Sequence, residues 1–493
     1  MRHPLSRRAF VTGTAAVVAV PGLLREAADR ASASETAVRT IQLEAREVRW
    51  ELAPGRTVRA MAYNGQVPGP AVRAREGERL RVVLKNSLSE PTTVHWHGID
   101  VPNAMDGIPG LTQSAIAPGA TFAYEFEARP AGTRWYHTHF EEHRQMDLGL
   151  VAPLIIDPAT AERGADRDVT LVLDDWATGT GTPLPLTREG VAGGRGSMGG
   201  MMSRMRPGRG MMGGMRGGGG AHTPPPYDVM TINGKAYPAT APLQVEKGMT
   251  VRLRLINASA EHTHVIRLAG HRLRVTHTDG NPLDAPVEVD ALPIAPSERY
   301  DVLVTADRPG AWMLTCTQPG HAGAGEQMIV RYAGHERAEA QASGSATETV
   351  TFWEYGRGRG RDVVPAATGA ERRFDLVLSG GMGHGDQWTI NGKIYPDTER
   401  LSVAKGDRVV VRFRNQSPEA HPMHLHGQSF RVLAVNGVPL AAPLVKDSVD
   451  VEAHMGSVLV DFTAMNLGDW LFHCHKPMHM EGGMASLVSI GRG

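Results

Sequence analysis

Three features of the 493-residue sequence predict an all-β chain built from three copies of one β-sandwich. The first is a repeated stretch. It runs from Tyr63-Asn64-Gly65 to "VRAREGERLRVVLKNS", from Ile232-Asn233-Gly234 to "LQVEKGMTVRLRLINAS", and from Ile390-Asn391-Gly392 to "LSVAKGDRVVVRFRNQS". The copies start roughly 160 residues apart, far more than a solenoid period, so whole domains are repeated. The second feature is the content of each copy: an Asn-Gly turn, a further turn at glycine, and strand-like runs such as Val409-Val410-Val411-Arg412-Phe413-Arg414. The third is the abundance of Gly and Pro with little helical periodicity, which favours short strands packed as sandwiches.

Taken in order, the chain opens on Ser6-Arg7-Arg8-Ala9-Phe10, an uncharged run from Phe10 to Leu24, and small residues at Ala31-Ser32-Ala33. This is the pattern of a twin-arginine export signal over residues 1–33, shorter than the ~20 apolar residues of a membrane span. The three sandwiches are expected at 36–160, 165–335 and 345–493. A Gly-, Met-, Arg- and Pro-rich insert interrupts the second at about 181–226, and a linker-like stretch at about 335–350 precedes the third. Formal net charge is zero, so no global basic field points to nucleic acid or to an anionic membrane. With only Cys316 and Cys474 there is no disulfide framework and no C-x-x-C pair.

Chemistry concentrates in histidines. Four His-x-His pairs occur: His95/His97, His137/His139, His424/His426 and His473/His475. On a strand, residues two apart face the same side, so each pair aims two imidazoles at one point. Two pairs fall in the first copy and two in the third, so eight imidazoles converge if those copies face each other. Cys474, between the last two histidines, then points the opposite way, toward a different site. His479 and Met484 follow it and His421 precedes the third pair; two histidines, a thiolate and a weak thioether make a blue-copper electron-transfer site.

At these motifs, "HWHG", "WYHTH", "HPMHLHG" and "HCHKPMHMEGGM", the chain resembles the three-domain multicopper oxidases, the family of laccases and bacterial cuprous oxidases. The resemblance implies cupredoxin-like Greek-key sandwiches, a type 1 copper in the third and a trinuclear copper cluster between the first and third. Carried over by position, the type 1 ligands are His421, Cys474, His479 and Met484, and the type 2 ligands His95 and His424. One type 3 copper takes His97, His137 and His475, the other His139, His426 and His473. The implied reaction removes single electrons from a reductant at the type 1 site, passes them through Cys474 to His473 or His475, and reduces dioxygen to water. Asp106, in "NAMDGIPG", corresponds to the acid that supplies protons near the type 2 copper; read without the family it is an Asp-Gly turn residue. Relatives often place another acid directly after the second type 1 histidine, where this chain has Met480, with Glu481 one residue later.

The insert carries Met198, Met201, Met202, Met205, Met211, Met212 and Met215 among glycines and arginines. Clustered thioethers favour Cu(I), and Met478 and Met480 extend the path, which suits a cuprous oxidase acting in copper tolerance outside the cytoplasm. A laccase-like oxidase of small aromatic reductants is the rival within the class. A copper-sequestering or structural envelope protein is the rival from another class, and relatives of that kind lack the ligands found here. Three-domain relatives imply a monomer without stable membrane insertion. Two readings fit Cys316: an inert thiol from a decayed site, or a fifth, type 1-like copper in the second copy held by His264, Cys316, His321 and Met328.

Overall fold

In the computed structural model, residues 38–160, 164–178, 226–321, 323–342, 350–381 and 387–492 are described. The export-signal stretch and the methionine insert lie outside them, as do residues 343–349 of the linker. Six sheets pair into three β-sandwiches. In the first, strands Arg56–Tyr63, Arg39–Ala53, Arg79–Asn86 and Thr121–Glu127 form one sheet, and Val72–Arg75, Val151–Asp157, Gly132–His137 and His95–His97 the other. The third has Trp388–Ile390, Glu371–Gly380, Arg408–Asn415, Ser457–Thr463, Phe430–Val435 and Val438–Lys446 on one side. Leu401–Ala404, Ala485–Gly491, Gly468–Cys474, His421–Leu425 and Ser448–Val451 form the other. The second sandwich repeats that order strand for strand, from Val229–Ile232 to Asn281–Val289 and from Leu243–Val245 to Leu292–Ile294. In all three, an early strand pairs in parallel with a later one, as Arg39 with Leu80, Val251 with Arg167, and Glu371 with Arg408. Parallel neighbours cannot be joined by a hairpin, so this is the Greek-key crossover.

The repeated Asn-Gly pairs are hairpin turns. Asn64 and Gly65 have φ of 51° and 78°, Asn233 and Gly234 52° and 68°, Asn391 and Gly392 53° and 72°. Two consecutive positive φ values define the turn whose twist matches the flanking strands, and Asn followed by Gly tolerates them best. Alternation buries one side of outer strands such as Arg79–Asn86, while His421–Leu425 is buried on both. In the third sandwich Phe413 and Phe472 meet edge to face with centroids 5.0 Å apart, and Phe430 stacks on Phe472. Aromatic pairing of this kind adds about 0.5–1.5 kcal/mol beyond burial, and it fixes the strand that continues into His473 and Cys474.

A buried polar junction joins the three sandwiches. Arg299 of the second makes a two-pronged ion pair with Asp447 of the third, at 2.6 and 2.5 Å, while Arg134 of the first lies 3.4 Å from the same carboxylate. Asp279 pairs with Lys446 at 3.1 Å, and every one of these side chains is fully buried. Burial drives the Arg134 guanidinium down to about 10, aided by the neighbouring Arg299 charge. A buried charge group of this type survives because its partners are all present.

Candidate functional site

The eight paired histidines do converge. Strand His95–His97 lies antiparallel to Gly132–His137 with His95 opposite His137, and His424 lies opposite His473 between the two third-domain strands. Met423 lies opposite Cys474 in the same register, so strand alternation sends His424 and His473 to one side and Cys474 to the other. The ligand-capable atoms of His95, His97 and His424 lie within 4.8 Å of one another. So do those of His97, His137 and His475, those of His139, His426 and His473, and those of His421, Cys474 and His479. His97 belongs to two of these groups and stacks on His424 with centroids 3.7 Å apart.

In most of these rings one nitrogen is held and the other is left over. His95 Nδ1 donates to the Asp106 carbonyl at 2.9 Å, His137 Nδ1 to the Thr138 carbonyl at 2.7 Å, and His424 Nδ1 to the Asp447 carbonyl at 2.8 Å. Nε2 of each has no hydrogen-bond partner, although each ring is buried. His97 reverses the pattern, with Nε2 on Asp447 Oδ1 at 3.0 Å and Nδ1 unpartnered. Both ring nitrogens of His475 are unpartnered. His426 Nδ1 donates to Asp106 Oδ2 at 2.9 Å, leaving Nε2 facing His473 Nε2 at 2.9 Å. Burial depresses the pKa of His97, His137, His424, His426, His473 and His475 far below the usual imidazole range, and takes His139 to about 3. Neutral imidazoles with orphaned lone pairs aimed at each other are what a metal cation satisfies.

The second group has the same logic. His421 Nδ1 and His479 Nδ1 face each other at 3.0 Å, with Cys474 Sγ 3.6 and 3.5 Å away. Ser417 Oγ donates to or accepts from His421 Nε2 at 2.7 Å, and Trp388 stacks on His479 at 3.7 Å. Met484 is fully buried, its carbonyl accepting from the Cys474 N–H at 3.1 Å. His473 Nδ1 donates to the Cys474 carbonyl at 2.8 Å, so the two groups are joined by covalent bonds and by this contact.

Three family profiles described as "Multicopper oxidase" match residues 44–161, 210–335 and 372–492. The chain belongs to the multicopper oxidases. This multicopper oxidase is 36% identical over 442 residues to the multicopper oxidase MmcO of Mycobacterium tuberculosis, a match spanning 88% of the chain and 83% of that protein. It is 26% identical to a copper resistance protein A homolog of Pseudomonas syringae pv. tomato, over 87% of the chain and 89% of the relative. Among solved structures, a multi-copper oxidase from Pseudomonas thermotolerans superposes with a TM-score of 0.69 at 26% identity, over 93% of this chain and 100% of that one. The protein is therefore a copper-binding oxidoreductase that uses dioxygen.

Several acids stand around the histidines. Asp106 is wholly buried and reaches His95 and His426, one from each of two sandwiches, through Oδ1 at 3.2 Å and Oδ2 at 2.9 Å. Glu142, on the short helix Glu142–Gln145, lies 2.9 Å from His139 Nδ1. Burial and the nearby Glu481 charge raise its pKa above the usual carboxylate value. Glu481 itself, on helix Pro477–Glu481, pairs with His143 at 2.5 Å. Glu419 Oε2 accepts from His479 Nε2 at 3.2 Å; that hydrogen bond holds its carboxyl down at about 2. Lys476 bridges Glu419 to Glu261 of the second sandwich.

Met480 is packed with Ile108, Tyr395 and Leu471, so it is core and not part of an exposed methionine path. In the second sandwich, His264, Cys316 and His321 come together with Glu326, where the sequence points to Met328. Its strand pairs it with Leu314, whereas the residue whose carbonyl accepts from the Cys316 N–H, as that of Met484 does from Cys474, is Glu326. The interval of ten residues from Cys474 to Met484 recurs from Cys316 to Glu326, a signal present in the sequence but obscured by the change of residue type. Asp447, Glu142 and Glu419 have no such signal.

Proposed function

We propose that the chain is a cuprous oxidase that couples one-electron oxidation of Cu(I) to four-electron reduction of dioxygen to water. In this reading His421, Cys474, His479 and Met484 hold the type 1 copper, and His95 and His424 the type 2 copper. His97, His137 and His475 hold one type 3 copper, and His139, His426 and His473 the other, making four per chain. Bound there, the coppers supply sites that gain and lose single electrons and bind oxygen. The orphaned imidazole nitrogens support this ligand set. Cys474 and His473, covalently adjacent and joined by the carbonyl contact, form the shortest bridge between the two sites. Asp106 orients His95 and His426 and is placed to move protons, and Glu142 stands beside His139.

The choice of substrate rests on Glu419. A carboxylate that is deprotonated at neutral pH and partly exposed caps the outer nitrogen of His479, and such an anion favours a cation over a neutral phenol at the point of electron entry. The methionine insert and the kinship with a copper resistance protein A homolog agree with a role in copper tolerance. Export through the twin-arginine stretch to the periplasm or cell surface belongs to the same reading.

A laccase-like action on small aromatic reductants is the second reading, favoured by the chain's 28% identity to Laccase-1 of Botryotinia fuckeliana. Catalytic efficiency measured on Cu(I), a phenol and a non-phenolic dye separates them. The comparison uses the native protein, Glu419→Gln and a chain lacking about residues 195–220. Both variants should lose Cu(I) turnover while keeping dye oxidation. Undiminished Cu(I) turnover in both would sink the cuprous reading.

A further inference from the structure

We infer that the second sandwich holds a metal ion of its own, a dication of the zinc or copper(II) class bound by His264, Cys316, His321 and Glu326. These four residues bring ligand atoms within 4.8 Å of one another, and none is more than slightly exposed. His264 Nδ1 lies 2.6 Å from Glu326 Oε2, and His321 Nδ1 lies 3.3 Å from Cys316 Sγ and 4.0 Å from the same carboxylate oxygen. The other carboxylate oxygen, Oε1, is buried with no hydrogen-bond partner.

The outer supports of the first histidine repeat those of the Cys474 group. Ser259 Oγ meets His264 Nε2 at 2.6 Å as Ser417 Oγ meets His421 Nε2 at 2.7 Å, leaving Nδ1 as the inward nitrogen in both. Asn257 and Asn415 hold those serines by accepting from their backbone N–H groups, at 2.9 and 2.8 Å. The backbone N–H groups of Val265 and Gln318 point at Cys316 Sγ from 3.2 and 3.5 Å, which suits a sulfur that carries charge. An outer hydrogen bond that fixes the ring and its tautomer is the usual mark of a ligating histidine.

The differences decide what the site does. Where Met484 offers a neutral thioether, Glu326 offers a charged oxygen. A thiolate and a carboxylate with two neutral imidazoles balance a dication, whereas Cu(I) would leave a net negative charge buried. Two nitrogens, one sulfur and one oxygen make a four-coordinate set, each donor of a type that zinc accepts. Cys316 is flanked by Thr315 and Thr317 in place of histidines, so the electron bridge of Cys474 has no counterpart. The carboxylate and the missing histidine neighbours together remove the features of an electron-transfer site.

The test counts metals in the full-length protein, loaded with copper alone or with copper and zinc and then dialysed. The native chain should hold five ions, and both Cys316→Ser and Glu326→Gln should hold one fewer, with the blue absorption of Cys474 unchanged. Whether zinc displaces copper at the fifth position identifies the ion. Glu326→Met loaded with copper alone should restore a thioether site and raise the blue absorbance per chain roughly twofold. Equal metal content in the native chain and both variants would overturn the inference, whatever the count at the other sites. So would a native chain with only four ions, which would make the cluster a hydrogen-bonded remnant.

Discussion

Replacing Asp106 by Asn is the sharpest test of how the cluster works. The side chain is fully buried and contacts His426 Nδ1 at 2.9 Å and His95 Nδ1 at 3.2 Å. An amide keeps the shape but gives up charge assistance to the His426 ring, about 1–1.5 kcal/mol. At about 1.36 kcal/mol per decade, that slows the step that needs the ring roughly 5- to 13-fold. If Asp106 also carries protons, the loss extends toward the ~10²–10⁴ of a general acid. Nothing in its contacts reaches Cys474, so electron entry should be spared. Oxygen consumption under saturating reductant reports the first effect, and anaerobic bleaching of the blue absorption in a stopped-flow instrument the second. Slow oxygen use with unchanged bleaching is the expected pattern. Bleaching slowed to the same degree would refute the argument, because it would mean that the substitution disturbs the whole site.

Other outcomes follow from the same geometry. Glu142→Gln should lower oxygen consumption by about 10- to 100-fold through loss of its contact with His139, again without slowing anaerobic bleaching. Asp447→Asn leaves Arg299 and Arg134 facing each other in the interior and should cost about 3–5 kcal/mol in denaturant titration; a change under 1 kcal/mol would contradict the junction's role. Chelating the copper should lower the melting temperature, since it returns neutral lone pairs to face each other. Although burial opposes it, the Glu481 charge raises His143 to about 8. The pair thus stabilises the fold fully below the unfolded imidazole value of ~6.5, and that stability, at most about 2 kcal/mol, is lost as pH rises through 8. His143→Gln should flatten stability between pH 6.5 and 8.

Local periodicity made the candidate site legible. His-x-His on a strand has one geometric meaning, and an Asn-Gly turn fixes register, so pairs 95/97 through 473/475 could be placed without coordinates. Cys474 was equally legible, because strand alternation alone sends it away from its neighbours. The supporting acids were not. Asp447 touches His97 and Arg299, 350 and 148 positions upstream, and no spacing rule links residues so far apart. Glu142 depends on a single helical turn that brings it under His139. In the second sandwich, residue type points to Met328 and the interval of ten points to Glu326, whose carboxylate stands with His264, Cys316 and His321; a change of chemical class hides that position from a motif reading.

The junction of Arg299, Arg134 and Asp447 gives the middle sandwich an architectural duty. None of the four histidine pairs lies within it, yet its arginine aligns the aspartate against which His97 and His424 are set. The reactive chamber therefore closes only when all three sandwiches have docked, and a half-assembled chain presents histidines without a frame. Substitutions at Arg299, remote in sequence from every paired histidine, should therefore lower copper content together with stability.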